Sequence, residues 1–294
     1  MKMIVWLTAI SFCCMVSCSN PAEDDEHFAG YHIDEIPSWS ETWDRIAYYH
    51  QDLAHDGLDS VGIYIINPDG TEKRMIYHAL YVYAIDWSAS GQWIYFNSDM
   101  RIMRYSYPDG HVDTLTPPGE YWDLSVSPDD QNLVFSNRSG DLMGLYMMNI
   151  SSGFIRRLTN SGDGPTMPFS DSVIFLDLET HYPLSAISIA DTLMDTVRVV
   201  YITTETEDII PFTLRPKLHS PNHRIIYSAQ EAGRAPSIWK LGPGANRAER
   251  FISLADMPEF SPDGNRIVFA DLHNLNGKLW IINWDGTGLR QLTR

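Results

Sequence analysis

The chain has 294 residues, 44% of them hydrophobic and 12% aromatic, with a formal net charge of −17. A surface this acidic repels phosphate backbones and anionic headgroups, which excludes nucleic acid as a partner and direct adhesion to a membrane surface. The three cysteines stand at 13, 14 and 18, so no disulfide framework staples the rest of the chain.

Residues 1–17 read as a secretory signal: Lys2, an apolar run, then small residues before a cysteine. The run is shorter than the ~20 residues a spanning helix needs and leads into an acidic segment. Cys18, preceded by "MVS", resembles the cysteine of a bacterial lipobox and is the predicted lipidation site, with the mature chain beginning there. Removal of the signal takes away Lys2 and no acid, leaving −18. Residues 18–30 then read as a tether, because the adjacent charges of Glu23, Asp24, Asp25 and Glu26 keep a segment solvated and extended.

From residue 31 to 294 a unit recurs. Its plainest copy is "FSPDGNRIVFA" at 260–270: Pro262, Asp263 and Gly264 suit a turn, and the apolar residues from Ile267 suit a packed strand. Anchored on the serine, copies fall at Ser40, Ser88, Ser127, Ser170, Ser220 and Ser261. Second corners recur as "NPDG" at 67–70, "YPDG" at 107–110 and "NWDG" at 283–286. Each unit thus carries two hairpins, or four strands, and six units of 39–50 residues are expected, with boundaries near 78, 121, 163, 204 and 254. Sheets apolar on both faces bury them only against one another, so the expected fold is all-β: a six-bladed propeller of four-stranded antiparallel blades. No copy lends a strand to another, so closure is expected to rest on packing of the sixth blade against the first.

These residues resemble the P-x-[WF]-S-P-D-G-x-x-[IL]-[VA]-[FY] repeat of TolB-like, WD40-like propellers. "PEFSPDGNRIVF" matches it throughout and "DGTGLRQLT" resembles its closing strand. The resemblance implies the propeller fold and a place in the bacterial cell envelope. It specifies no activity.

Searches for chemistry end without a catalytic constellation. The sequence has no G-x-S-x-G nucleophile elbow. His219 and His223 flank a strand corner, where a spacing of four brings no shared face. His50, His55, Asp56 and Asp59 lie in one long loop of the first unit, but nothing fixes their spacing for a cation, and no metal or cofactor is assigned.

The inner strand of each blade starts a few residues before the serine. Counting back five gives Glu35, Tyr83, Trp122, Pro165, Arg215 and Asp256, with Tyr121 and Asp123 beside them, all expected near one mouth of the channel. Aromatic side chains with a few charges at a concave mouth are what binding sites use, so Tyr83, Trp122, Arg215 and Asp256 are the candidate binding residues. The expected function is a membrane-tethered envelope lipoprotein, outer membrane and periplasmic side, held by its acyl chains and binding a protein or glycan without catalysis. The alternative is a propeller enzyme, a carbohydrate lyase or hydrolase with a channel site.

Overall fold

The computed structural model describes residues 32–52, 60–177, 186–191, 197–202, 209–210, 215–231, 234–245, 247–273 and 277–294. The signal, Cys18 and the tether, and His55, Asp56 and Asp59 of the first loop, lie outside the described residues.

Six antiparallel sheets stand in a ring, each made from one continuous stretch of chain. The first comprises β1 (His32–Trp39), β2 (Ile46–Asp52), β3 (Gly62–Ile66) and β4 (Arg74–His78). The second holds β5 (Ile85–Trp87), β6 (Trp93–Ser98), β7 (Arg101–Ser106) and β8 (Val112–Thr114). The third contains β9 (Tyr121–Val126), β10 (Asn132–Asn137), β11 (Gly144–Asn149) and β12 (Ile155–Arg157). The fourth is built of β13 (Asp163–Phe169), β14 (Ser172–Asp177), β15 (Ala186–Asp191) and β16 (Val197–Ile202). In the fifth the inner position is shared by β17 (Ile209–Ile210) and β18 (Lys217–His219), both paired to β19 (Arg224–Glu231), followed by β20 (Ser237–Leu241) and β21 (Glu249–Ser253). The sixth runs from β22 (Ala255–Phe260) through β23 (Arg266–Asp271) and β24 (Lys278–Asn283) to β25 (Arg290–Gln291). This is the expected six-bladed all-β propeller. Of the expected boundaries, 78, 121, 163 and 254 fall at blade edges, while 204 lies outside the described residues.

The recurring serine has a mechanical reason. Ser261 Oγ donates to Asp263 Oδ1 at 2.6 Å and accepts the Arg266 amide at 2.9 Å, so one hydroxyl closes the corner from both sides. Ser127 repeats this with Asp129 and the Asn132 amide at 2.6 and 2.9 Å, and Ser88 accepts the Trp93 amide at 2.9 Å. Gly264 completes the corner at φ +66°, where a side chain would be strained and a Cβ would run into the His219 ring. In the outer corners, Asp69 and Asp285 each accept the amide and the hydroxyl of a threonine two residues on.

The fourth and fifth units depart from this register. Phe169 pairs with Ser172 across a two-residue turn, so Ser170 is itself a turn residue, two places past Pro168, which is the counterpart of Ser261 in register. In the fifth unit His219 pairs with Arg224, which puts His219, not Ser220, at that place. His219 Nε2 lies 3.0 Å from the Pro262 carbonyl of the next blade, a corner-to-corner contact.

Six apolar clusters fill the six seams between blades. Ile36, Tyr49 and Ile63 meet Trp87, Ile94 and Phe96 between the first two blades. Ile226 and Ile238 meet Phe260, Ile267 and Phe269 between the last two. Fully burying one such phenylalanine contributes about 2–3 kcal/mol, and only a neighbouring blade supplies the cover. The ring closes where Trp39, Ile46, Tyr48 and Ile66 pack on Val268, Ala270, Leu279, Ile281 and Leu292, with no strand exchanged among the described residues. Polar clasps reinforce this seam. The Asp34 amide donates to the Gly277 carbonyl at 2.9 Å, and Arg290 donates to the Pro68 carbonyl. The fully buried Asp34 carboxylate lies 2.5 Å from His50 Nδ1 and 3.6 Å from Lys278 Nζ. Burial alone would raise the Asp34 pKa, but hydrogen bonds from His50 and Thr293 and the charge of Lys73 hold it below the ordinary aspartate value.

A candidate binding site at the channel mouth

The inner strands begin at the same end of the channel, and in the first, fourth and sixth blades a bulge lies just inside it. Register shifts fall between Glu35 and Ser38, Asp163 and Thr166, and Asp256 and Glu259. The residue inside each of these three is left-handed: Ile36 at φ 56°, Gly164 at 54° and Met257 at 54°. A bulge re-aims the side chains around it, and here it places two tiers of residues at the channel. The outer tier is Glu35, Tyr83, Trp122, Asp163 and Asp256. The bulge tier includes Ile36, Ala84, Asp123, Gly164, Arg215 and Met257.

Counting back from the serine therefore finds the mouth in four blades and slips in two. In the fourth, Pro165 lies two residues deeper, past the bulge tier, and the residue level with Asp256 is Asp163, as the pairings Asp163 with Leu176 and Asp256 with Ala270 show. The signal for it was present: "EIP" at 35–37, "DGP" at 163–165 and "DMP" at 256–258 are one acid-x-proline motif in three blades. In the fifth, Arg215 belongs to the bulge tier. It sits between the two parts of the inner strand, where Ile210 pairs with Gln230 and Lys217 with Ile226.

From there Arg215 crosses the channel. Its Nε lies 2.8 Å from Asp123 Oδ1 in the third blade, and its Nη2 donates to the Tyr83 carbonyl beside the second at 3.1 Å. Four carboxylates surround it: Glu35, Asp123, Asp163 and Asp256. Arg138 supplies a second guanidinium, ion-paired to Asp163 and 4.5 Å above the Trp122 ring. Two cations among four acids leave the cluster short of positive charge. Burial pushes the Glu35 carboxyl up to about 7, with Asp256 and Asp34 adding to the rise and Arg215 opposing it. Burial likewise lifts Asp123 to about 6, Arg215 opposing and Asp163 reinforcing, and raises Asp256.

The aromatic part of the mouth is built by Asn97, a buried amide that sequence reasoning passed over. Its Oδ1 accepts the amides of Tyr83 and Ala84 at 2.7 and 2.9 Å, while its Nδ2 donates to the carbonyls of Tyr121 and Trp122 at 2.7 and 2.9 Å. One side chain thereby sets both strand entries, and the Tyr83 and Trp122 rings meet at 4.7 Å with a 34° tilt. Nothing in the sequence marked Asn97 apart from other strand-end asparagines.

Below the mouth the channel narrows to a waist of Ser38, Asp86, Ser125, Thr166, Lys217 and Glu259. Lys217 lies 2.8 Å from Glu259. Asp86 accepts the Val126 amide at 2.9 Å. Burial opposes the charge on Lys217, but Glu259 and Asp86 raise its pKa above the ordinary value. Between mouth and waist remains a cavity of about 40 Å³ lined by Ile36, Asp123, Arg215, Lys217 and Met257, among others. That is room for a few water molecules. Among the described residues no three His, Cys, Asp or Glu side chains gather as metal ligands do. His50, expected in the first-unit loop, lies instead within β2, where its ring meets Asp34 at the seam.

No family model matches the chain, and no curated protein matches it. Solved structures do. TolB from Acinetobacter baumannii superposes with a TM-score of 0.64 at 16% identity, covering 87% of this chain and 61% of that one. A putative TolB from Agrobacterium tumefaciens gives 0.64 at 18%, covering 78% and 87%. An oligogalacturonate lyase in complex with manganese gives 0.59 at 13%, covering 90% and 78%. This chain spans about three fifths of the Acinetobacter protein, and at such identities the likeness is one of fold. The chain is folded as a TolB-like six-bladed β-propeller.

Proposed function

We propose that this chain is a cell-envelope lipoprotein, anchored through Cys18, whose propeller is a non-catalytic binding module for a protein or a glycan. The observation that carries the binding reading is the mouth itself. An aromatic pair and four carboxylates converge there above a channel that its own side chains fill. A partner meets Tyr83, Trp122, Arg215 and Asp256 without entering deeper. The anchor rests on the signal-like segment and "MVSC", and the envelope location also on the TolB-like fold.

The tests are separable. Cells fed a palmitate analogue should label the wild-type protein and leave Cys18→Ser unlabelled; equal labelling removes the anchor. Partners captured from envelope extracts should bind Tyr83→Ala and Asp256→Asn with losses of about 2 kcal/mol, as for central anchors of an interface. Unchanged affinity in both variants moves the site off the mouth. The lyase likeness gives the second reading, a carbohydrate enzyme. Stoichiometric metal retained by the purified protein would favour it over the binding module.

A further inference from the structure

We propose that the mouth face docks a protein segment bearing an arginine or lysine flanked by apolar residues, the cation entering among Glu35, Asp163 and Asp256 beside Arg215. This rests on the binding-module reading and names the chemistry of its partner.

Two independent observations point the same way. The first is an apolar rim. The mouth face carries the connections between second and third strands and those between blades, and these expose Tyr81 (60%), Met100 (62%), Leu142 (56%) and Met143 (47%), with Leu254 and Leu272 further round. Tyr81 stands two residues before Tyr83, and Leu254 two before Asp256, so the chain passes from the rim directly into the mouth. Exposed apolar side chains collected around a polar centre mark a protein interface more than a sugar site, which takes flat aromatic faces and neutral hydrogen-bonding groups.

The second is a missing cation at the centre. Asp256 is only 9% exposed; the Met257 amide meets its Oδ1 at 2.7 Å and Ser228 also hydrogen-bonds to it, but among the described residues no cation pairs with it within 4 Å and Arg215 acts on it only through space. Glu35 has no ion pair among them either, though Arg215 lies near enough to act on it through space. Arg215 is engaged by Asp123, and Arg138 by Asp163. Buried carboxylates lacking counter-charge are costly, and a guest cation relieves that cost in a way no neutral or anionic guest does. Arg215 itself shows that a guanidinium fits this setting.

Such binding carries a proton signature. Glu35 faces Arg215, Asp256 and Asp34, and Asp123 faces Arg215, Asp163 and Arg138. Another cation among them favours the ionised carboxylates, so protons leave as the guest arrives, and affinity rises with pH.

The experiment titrates the full chain in detergent with three capped pentapeptides alike except at the centre: leucine and tryptophan flanking arginine, its uncharged isostere citrulline, or glutamate. The arginine peptide should bind about tenfold or more tighter than the citrulline peptide at pH 8. That advantage should shrink at pH 5.5, and calorimetry in buffers of different ionisation heat should show proton release. Asp256→Asn should narrow the preference, and Met100→Ser with Leu142→Ser should weaken arginine and citrulline peptides alike. Equal binding of the three peptides, a preference for glutamate, or no binding by any of them overturns the proposal, as does tighter binding of chitotetraose. A partner captured through the mouth without a preference for arginine would retain the binding module and reject only this chemistry.

Discussion

Arg215→Ala should lower the thermal midpoint sharply at pH 8 and much less at pH 5. The side chain ties the fifth blade to Asp123 of the third and to the Tyr83 carbonyl beside the second, and its charge serves four carboxylates. Removing one partner of a buried ion network costs about 3–5 kcal/mol. In a domain of this size that is roughly 10 °C. The pH dependence follows from the acids left behind. Glu35 and Asp123 already hold their protons more tightly in the folded chain, at about 7 and about 6, than the ordinary 4.5 and 3.8 of the unfolded one. Their contribution to stability is therefore complete below about pH 4 and is lost as pH rises through 6 and 7. Without Arg215 the same carboxyls are neutral at pH 5 and cost little, but charged and uncompensated at pH 8. The crossed channel makes Arg215→Ala a poor probe of binding, because the variant alters stability as well. Equal losses at the two pH values, or none, would show that Arg215 is not the counter-ion of this cluster.

Asp34→Asn should open the ring at its closing seam, at a cost of about 3 kcal/mol in denaturant unfolding at pH 7. Its carboxylate is fully buried between the first and sixth blades, where it meets His50 and Lys278. Asparagine keeps the shape but leaves Lys278 without its counter-charge at the seam. Because the folded pKa of Asp34 lies below the ordinary value, its stabilisation is present above about pH 4 and is lost as pH falls through the folded value. The variant should thus approach the wild type as pH falls below about 4, a window below that of the Arg215 effect. A neutral-pH stability equal to the parent's would mean that the apolar seam alone closes the propeller.

The number of blades and their limits were legible because turn chemistry repeats: a serine recurs at the inner corners, and in the third and sixth blades an aspartate two residues on joins it in the same hydrogen-bonded geometry. That rule also misled. In the fourth unit the corner is a two-residue turn in which Ser170 stands two places past the register of Ser261, so counting from it reached Pro165 instead of Asp163. The mouth was legible as a place, since strand starts converge, but not as a chemistry. Arg215 reaches the acids only because the fifth inner strand is interrupted, and Asn97 fixes Tyr83 and Trp122 across a blade junction. Both are long-range facts that no local spacing encodes.

Each blade takes its hydrogen-bonded ladder from one stretch of chain, and this bears on how the molecule assembles. Within a blade, every pairing joins strands that neighbour one another in sequence or lie within a short loop of doing so, so loop-closure entropy is modest and blades can form successively. The contacts of greatest separation, such as Arg290 on Pro68, Lys278 on Asp34 and the single backbone bond from Asp34 to Gly277, lie at the seam between last blade and first. Closure is then the final and slowest step, and no backbone ladder locks it once made. The same seam is the place where a folded ring first gapes, so mutations there should act mainly on the rate of unfolding, while those inside a blade act on the rate at which it forms.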